Sequence, residues 1–113
     1  MELPRDAERL SVYIGESDER DGRLLYEVLV EEARRQGLAG ATALRGRAGF
    51  GANSRVHTSR VLRLSEDLPI IVEIIDVPEK IDAYSAWLDG VLKEGLVVRE
   101  NVRVVFYRHN NGE

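Results

Sequence analysis

The order of strand-like and helix-like segments constrains the fold of this chain more than any other feature. Alternating branched and aromatic residues predict a strand over residues 10–15, and apolar residues at helical spacing predict a helix over residues 23–36. A second strand is predicted over residues 39–47. After a long aperiodic stretch, strand character returns over residues 61–64 and in the apolar run of residues 70–76.

The same order of elements is completed in the last third of the chain. Asp76-Val77-Pro78 is typical of a helix start, and one apolar face continues to Gly95. Residues 96–107 are predicted to form the last strand, with a break near Glu100. The order β-α-β-(long loop)-β-α-β predicts an α+β fold, a ferredoxin-like β-α-β-β-α-β sheet with both helices on one face. This fold hosts many unrelated functions, so the function has to be argued from a site.

Length and composition narrow the class of protein. The 113 residues are enough for a single domain, with residues 1–8 and 109–113 expected to be flexible ends. The chain has no cysteine, which excludes disulfides and thiolate chemistry and fits a cytoplasmic location. The charged N-terminus is unlike a signal peptide, and no apolar run approaches the ~20 residues of a membrane span. A soluble protein without membrane insertion is therefore expected.

Positive charge is concentrated in one segment of an acidic chain. The net charge is −4, yet residues 45–64 contain five arginines and no Asp or Glu. The overall charge argues against nucleic-acid binding, whereas the local excess indicates a site for an anion. The stretch GRAGFGANSRVHTSR is also too long for a tight hairpin turn of ~2–5 residues, and long loops in compact domains are often functional. We expect ligand contacts from Arg45, Gly46, Arg47, Gly49, Gly51, Asn53, Arg55, His57 and Arg60.

The physical reason for this expectation is the combination of glycine and arginine. Glycines let the backbone approach a phosphate with its N–H groups, and guanidinium groups bind phosphate or carboxylate oxygens in a planar fork. From spacing alone, a solvated hairpin loop whose arginines pair with acidic neighbours explains the pattern equally well. His57 is interpreted first as a hydrogen-bonded structural residue, and as an anion contact if it is functional.

The sequence supports a catalytic site or a metal site less well than an anion-binding site. No serine lies in a nucleophile elbow, and the only histidines are His57 and His109, which disfavours a triad or a zinc site built by one chain. Glu73 lies within an apolar strand, where we expect it on the solvated or subunit-facing side with an arginine partner. No second group is seen to converge on it, so we do not expect an enzyme.

Three long segments carry a family resemblance: GLAGATALRGRAGFG, HTSRVLRLSEDLPIIVEIID and GLVVRENVRVVFY. With YIGESDERDGRLLYEVLVEEARRQG, they resemble the DUF190 family, also called UPF0166, along nearly the whole chain and in the same order. That family resembles the PII signal-transduction proteins in fold. The resemblance implies a PII-like homotrimer in which the long loop between the second and third strands is the effector loop.

The resemblance also implies a ligand and a partner. PII proteins bind adenine nucleotides in clefts between subunits near the base of the effector loop, so ATP, ADP or AMP is the expected effector. By position, Gly46 and Arg47 would lie near the phosphates, and residues 16–23, Arg99 or Arg103 could complete the cleft. Genes of the family often neighbour one for a small fluoride-export membrane protein, which suggests a membrane transport or channel partner.

The sequence therefore leaves three functional hypotheses open. The first is a trimeric sensor whose loop changes on ligand binding and engages a partner. The second is a small acylphosphatase-like hydrolase that would use Arg23 and Asn53 on an anionic substrate. The third is a non-catalytic structural or interaction trimer whose loop docks on a partner without a small-molecule ligand.

Overall fold

The computed structural model describes residues 6–49, 57–58 and 68–108. Four longer strands and two helices form the body of the fold, and four two-residue strands form two small ribbons. In chain order the elements are β1 (Asp6–Gly15), β2 (Glu19–Arg20), β3 (Arg23–Leu24), α1 (Leu25–Arg35), β4 (Ala41–Arg45), β5 (Ala48–Gly49), β6 (His57–Thr58), β7 (Pro69–Asp76), α2 (Pro78–Asp89) and β8 (Leu96–Arg103).

The four longer strands form one antiparallel sheet in the order β4-β7-β1-β8. Val12 in β1 lies opposite Val72 in β7 on one side and Val97 in β8 on the other. β4 pairs with the outer side of β7, with Ala43 opposite Val72. The first and third of the longer strands thus occupy the centre, and the ferredoxin-like arrangement predicted from the sequence is confirmed.

The core lies between the sheet and the helices. Alternate residues of β1 and β7 point toward α1 and α2 and are almost fully buried. The helices contribute residues spaced three or four apart, which is the spacing of one helix face. The residues that these four elements contribute to the central hydrophobic cluster are Leu10, Val12, Ile14, Leu25, Leu29, Ala33, Ile70, Val72, Ile74, Ile81, Tyr84 and Leu88.

Buried polar groups connect the elements at one end of this core. The fully buried carboxylate of Asp76 accepts hydrogen bonds from the backbone N–H groups of Ala39 (2.8 Å) and Val77 (2.6 Å). It therefore joins the start of α2 to the segment that leads into β4. Between the helices, the hydroxyl of Tyr84 donates to the carbonyl of Leu29 at 2.8 Å, and burial raises the pKa of Tyr84.

Several element boundaries differ from the sequence-based prediction. β1 begins at Asp6, so it includes three residues that the sequence pattern places in a flexible end. Residues 23–24 were predicted to be helical but pair with residues 19–20 in a hairpin. The helix predicted to reach Gly95 ends at Asp89, because glycine at the next position favours termination.

The remaining strand boundaries also shift. The predicted strand 39–47 is shorter, at Ala41–Arg45, and the last strand ends at Arg103 without the predicted break near Glu100. The segment predicted to have no period contains a short antiparallel ribbon of β5 and β6. The strand predicted over residues 61–64 lies outside the described residues.

Candidate ligand site

The base of the long arginine-rich segment lies at the end of the sheet where β1 and β4 finish and β7 begins. Arg45 is the last residue of β4 and lies opposite Ile70, which in turn lies opposite Ile14 of β1. Glu16 immediately follows β1, so this register brings it close to Arg45. The guanidinium Nε of Arg45 lies 3.0 Å from the carboxylate Oε2 of Glu16. The guanidinium group at the base of the segment is thus paired with a carboxylate of the same chain.

The backbone at this point is anchored on the first residues of β7. The N–H of Gly46 donates to the carbonyl of Pro69, and the N–H of Glu16 donates to the carbonyl of Leu68, both at 2.7 Å. These two bonds fix the backbone on each side of the Arg45–Glu16 pair. The pair is therefore held by the sheet rather than by two independent surface loops.

The chain after Arg45 passes closely over the ring of Pro69. A Cβ atom at Gly46 would lie 2.8 Å from Cγ of Pro69, and one at Gly49 would lie 3.0 Å from the same atom. Carbon atoms without a bond between them are normally about 3.5–4.0 Å apart. Glycine is therefore required at Gly46 by close approach to the proline ring, whereas the sequence pattern suggested approach to a phosphate.

The β5–β6 ribbon brings the two sides of the segment together. Gly49 pairs with His57 across the ribbon, and Ala48 pairs with Thr58. Of the sequence-predicted ligand residues, the structure therefore brings the backbones of Gly49 and His57 together, close in sequence to the exposed side chain of Arg47. The other predicted members of this segment, Gly51, Asn53, Arg55 and Arg60, lie outside the described residues.

Arg103 is not brought to this site within one chain. It lies in β8 opposite Asp6, at the other edge of the sheet and at the other end of β1. From the spacing of strands and the rise per residue, Arg103 and Arg45 are separated by roughly 30 Å. The second arginine suggested for the cleft, Arg99, is paired with Asp82 and Glu8, which raise its pKa. Neither residue contributes to the loop base within one protomer.

The loop after β1 forms a second feature at the same end of the sheet. Its hairpin turns through Asp21 and Gly22, both with positive φ, and the carboxylate of Asp18 accepts from the N–H of Gly15 at 2.9 Å. A groove of about 300 Å³ lies between this hairpin and the turn after α2. Its lining residues are Asp18, Glu19, Arg20, Asp21, Leu25, Val91, Lys93 and Glu94. Sequence reasoning missed this groove because its two sides lie about 70 residues apart.

The sheet face opposite the helices is largely apolar and has no cover in the described structure. Tyr13, Leu44, Leu96 and Val98 lie on it and are each between 38% and 57% exposed. Glu73 lies at the centre of this face, as the sequence predicted. The hydrogen bond from Arg9 to Glu100 is the main cause of the raised pKa of Arg9, and the charge of Glu73 makes a smaller contribution. An apolar sheet face of this kind is typical of a surface buried against another chain.

In the described part of the chain, neither a metal-binding cluster nor a membrane-spanning helix is found. Among residues 6–49 and 68–108, no three or more His, Asp or Glu side chains are grouped in a way that could hold a metal ion. No helix in these ranges has the length and apolar character needed to cross a membrane. Arg23, which the hydrolase hypothesis requires, is paired with Glu31 on α1.

Comparison with known families identifies the chain. The family model of DUF190, described as "Uncharacterized ACR", matches residues 7–104. The chain belongs to the DUF190 family. A UPF0166 protein of Aquifex aeolicus is 34% identical over 97 residues, which cover 86% of this chain and 91% of that protein. A UPF0166 protein of Methanocaldococcus jannaschii is 34% identical over 93 residues, which cover 81% and 85%. The resemblance seen in the sequence is thus confirmed.

Two solved structures share the fold of this DUF190 protein. CPII, a nitrogen regulatory PII-like protein from Thiomonas intermedia, matches with a TM-score of 0.59 and 14% identity over 88% of each chain. That structure contains ADP, AMP and bicarbonate. A second structure of CPII, bound to ADP and bicarbonate, matches with a TM-score of 0.57. At this level of identity, the likeness establishes the PII-like fold of the DUF190 chain.

Proposed function

We propose that this DUF190 protein is a non-enzymatic, trimeric sensor that binds an adenine nucleotide, ADP or AMP, at the base of the arginine-rich segment. The observation that carries the proposal is the position of Arg45, Gly46 and Arg47. They lie at the end of β4, where the chain turns away from the sheet and carries two arginine side chains. CPII, which shares this fold, is bound to the same class of anionic ligand. A phosphate group is the chemical complement of two neighbouring arginines.

The proposed trimer accounts for two features that one chain leaves unexplained. The apolar, helix-free face around Tyr13 and Val98 would be buried against equivalent faces of the other two subunits. In such an assembly, Arg103 reaches a nucleotide only by entering the cleft from a neighbouring chain, because it lies far from Arg45 in its own chain. The proposed ligand residues are therefore Arg45 and Arg47 of one subunit and Arg103 of the next, with Gly46 and Gly49 shaping the backbone beside Pro69. Further ligand contacts are proposed from the same arginine-rich segment. They are His57 and four residues outside the described ranges, Gly51, Asn53, Arg55 and Arg60.

Ligand binding at this position provides a route to a signal. The segment between β4 and β7 starts and ends beside Pro69, so an anion held at its base would change the energetics of the whole segment. In the proposed function, the nucleotide-bound arrangement of this segment is recognised differently from the free one by a partner, such as a membrane transport or channel protein. A clear switch requires that the ligand prefers one arrangement by several kcal/mol, about 5.5 kcal/mol for a change from 1:99 to 99:1.

Calorimetric titration with ADP and AMP tests the ligand assignment. We expect saturable binding to the wild-type protein, and a loss of about tenfold to 100-fold in affinity for Arg45→Ala and for Arg47→Ala. This factor corresponds to one charge-assisted hydrogen bond worth about 1.5–3 kcal/mol. Arg34→Ala is the matched control, because Arg34 is exposed in the last turn of α1, away from the β4 end of the sheet. Absence of heat with either nucleotide at millimolar concentration would refute the nucleotide-sensor proposal.

A further inference from the structure

We infer that Glu16 is an intramolecular competitor of the ligand, and that its carboxylate occupies the guanidinium group of Arg45 until an anion displaces it. This inference rests on the proposed function, since it concerns the regulation of the same site. The observation is the 3.0 Å contact between Arg45 Nε and Glu16 Oε2. Glu16 is thus assigned a regulatory role that its position in a polar loop does not reveal.

The two partners are preorganised to meet. Arg45 is fixed by its place in β4 opposite Ile70, and the next N–H, of Gly46, is bonded to Pro69. Glu16 is fixed by the bond from its N–H to Leu68. Both backbones are thus anchored on the consecutive residues 68–70 at the start of β7. The carboxylate therefore has a high effective concentration at the guanidinium group.

The pair is nevertheless weak enough to be displaced. The side chain of Arg45 is 52% exposed and that of Glu16 is 30% exposed, so solvent screens their attraction. A phosphate brings more negative charge and more acceptor oxygens than one carboxylate, and it can use the guanidinium fork fully. The contact therefore lowers the affinity for the ligand without closing the site.

Displacement also gives the ligand a second effect on the protein. When a phosphate binds the guanidinium group of Arg45, the carboxylate of Glu16 loses its ion-pair partner. Glu16 lies at the start of the loop that continues into the β2–β3 hairpin. Binding at Arg45 is then coupled to the conformation of this loop, and by linkage any partner that holds Glu16 away from Arg45 tightens ligand binding by the same factor. The first loop and the long segment thus respond together to one ligand.

Calorimetry with ADP at low ionic strength tests the inference on the intact protein. We expect Glu16→Gln to bind ADP about twofold to fivefold more tightly than wild type, which is the factor for a half-exposed ion pair. Glu27→Gln removes the same charge from an exposed position in the first turn of α1 and serves as the control, with an expected change of less than about 1.5-fold. In an Arg45→Ala background, Glu16→Gln should have no effect, because the competition no longer exists.

The possible failures are distinguishable. If neither wild type nor Glu16→Gln binds ADP, the proposed function fails and the inference fails with it. If wild type binds and Arg45→Ala weakens binding, but Glu16→Gln binds no more tightly than Glu27→Gln, only the competitor role of Glu16 is refuted. Tighter binding by Glu16→Gln that persists in the Arg45→Ala background likewise refutes it, because the effect would not pass through Arg45.

A spectroscopic readout checks the contact itself. The side-chain Nε–Hε resonance of Arg45, identified with an Arg45→Lys variant, should shift on the Glu16→Gln substitution without ligand. In the wild-type protein it should also shift when ADP is added, as one acceptor replaces another. A resonance that is unchanged by Glu16→Gln would show that the two side chains do not pair in solution and would overturn the inference.

Discussion

Replacing Gly46 by alanine should destabilise the protein and distort the base of the long segment. The added methyl carbon would lie 2.8 Å from Cγ of Pro69 and 3.4 Å from the Pro69 carbonyl oxygen. The proline ring cannot rotate away, so either the ring or the backbone of Gly46 has to move, against a 2.7 Å hydrogen bond between the same two residues. Overpacking of this kind lowers the free energy of unfolding by about 1–3 kcal/mol. Replacing glycine also reduces the entropy of the unfolded chain, which raises the free energy of unfolding by about 0.4–1 kcal/mol. We expect a net loss of about 1–2 kcal/mol.

The matched control is Gly40→Ala. No atom lies within 4 Å of a Cβ at Gly40, so only the unfolded-state effect remains there. We expect this variant to be neutral or up to about 1 kcal/mol more stable than wild type. Equilibrium urea unfolding at one fixed protein concentration measures both, since assembly makes apparent stability depend on concentration.

A double-mutant cycle isolates the contact with the ring. Pro69→Ala removes Cγ, so Gly46→Ala should cost less in the Pro69→Ala background than in wild type, with a coupling free energy of about 1 kcal/mol. If Gly46→Ala proves as stable as Gly40→Ala, or if the cycle shows no coupling, then the segment does not pass over Pro69 as described. The arrangement argued for Arg45 and Glu16 would then lose its support.

Three further predictions concern the body of the fold. Asp76→Ala leaves two buried backbone N–H groups without an acceptor and should lower the free energy of unfolding in urea by about 2–4 kcal/mol. Asp76→Asn keeps one acceptor oxygen and should lower it by less. A cost below about 1 kcal/mol for Asp76→Ala contradicts this role. Tyr84→Phe removes the hydroxyl that donates to Leu29 and should cost about 0.5–1.5 kcal/mol by the same assay, with no loss refuting a net contribution from that bond. Hydrogen bonds from Arg35 lower the pKa of Glu32 from its ordinary 4.5, so the pair contributes stability above pH 4.5 that is lost as pH falls through the lowered value. Glu32→Gln should therefore show a smaller fall in thermal midpoint at acid pH than wild type, and parallel pH profiles would contradict the assignment.

The sequence predicted the longer elements because their signals are local. The β7 run alternates between core and open face, and the apolar positions of α1 repeat at helical spacing, so each signal is complete within about ten residues. The boundaries were less accurate where a turn depends on backbone conformation. The hairpin before α1 needs positive φ at Asp21 and Gly22, which shortens the helix predicted from residue 23.

The site was predicted only in part, since its geometry depends on register between distant strands. The arginine-rich composition indicated an anion site, which stays a proposal, and the structure shows only that Arg45 ends β4 where the arginine-rich segment begins. The pairing of Arg45 with Glu16, however, joins residues 29 apart through an intervening strand, and neither residue is distinctive locally. The glycines near Arg45 were expected to serve a phosphate, whereas the structure shows that Gly46 and Gly49 accommodate Pro69.

Native mass spectrometry of the protein with added ADP tests the central claim most directly, because it reports the number of chains and of bound nucleotides in one spectrum. The account predicts an assembly of three 12.7 kDa chains that takes up as many as three ADP molecules. A 12.7 kDa monomer, or a trimer that acquires no nucleotide at saturating ADP, would contradict it.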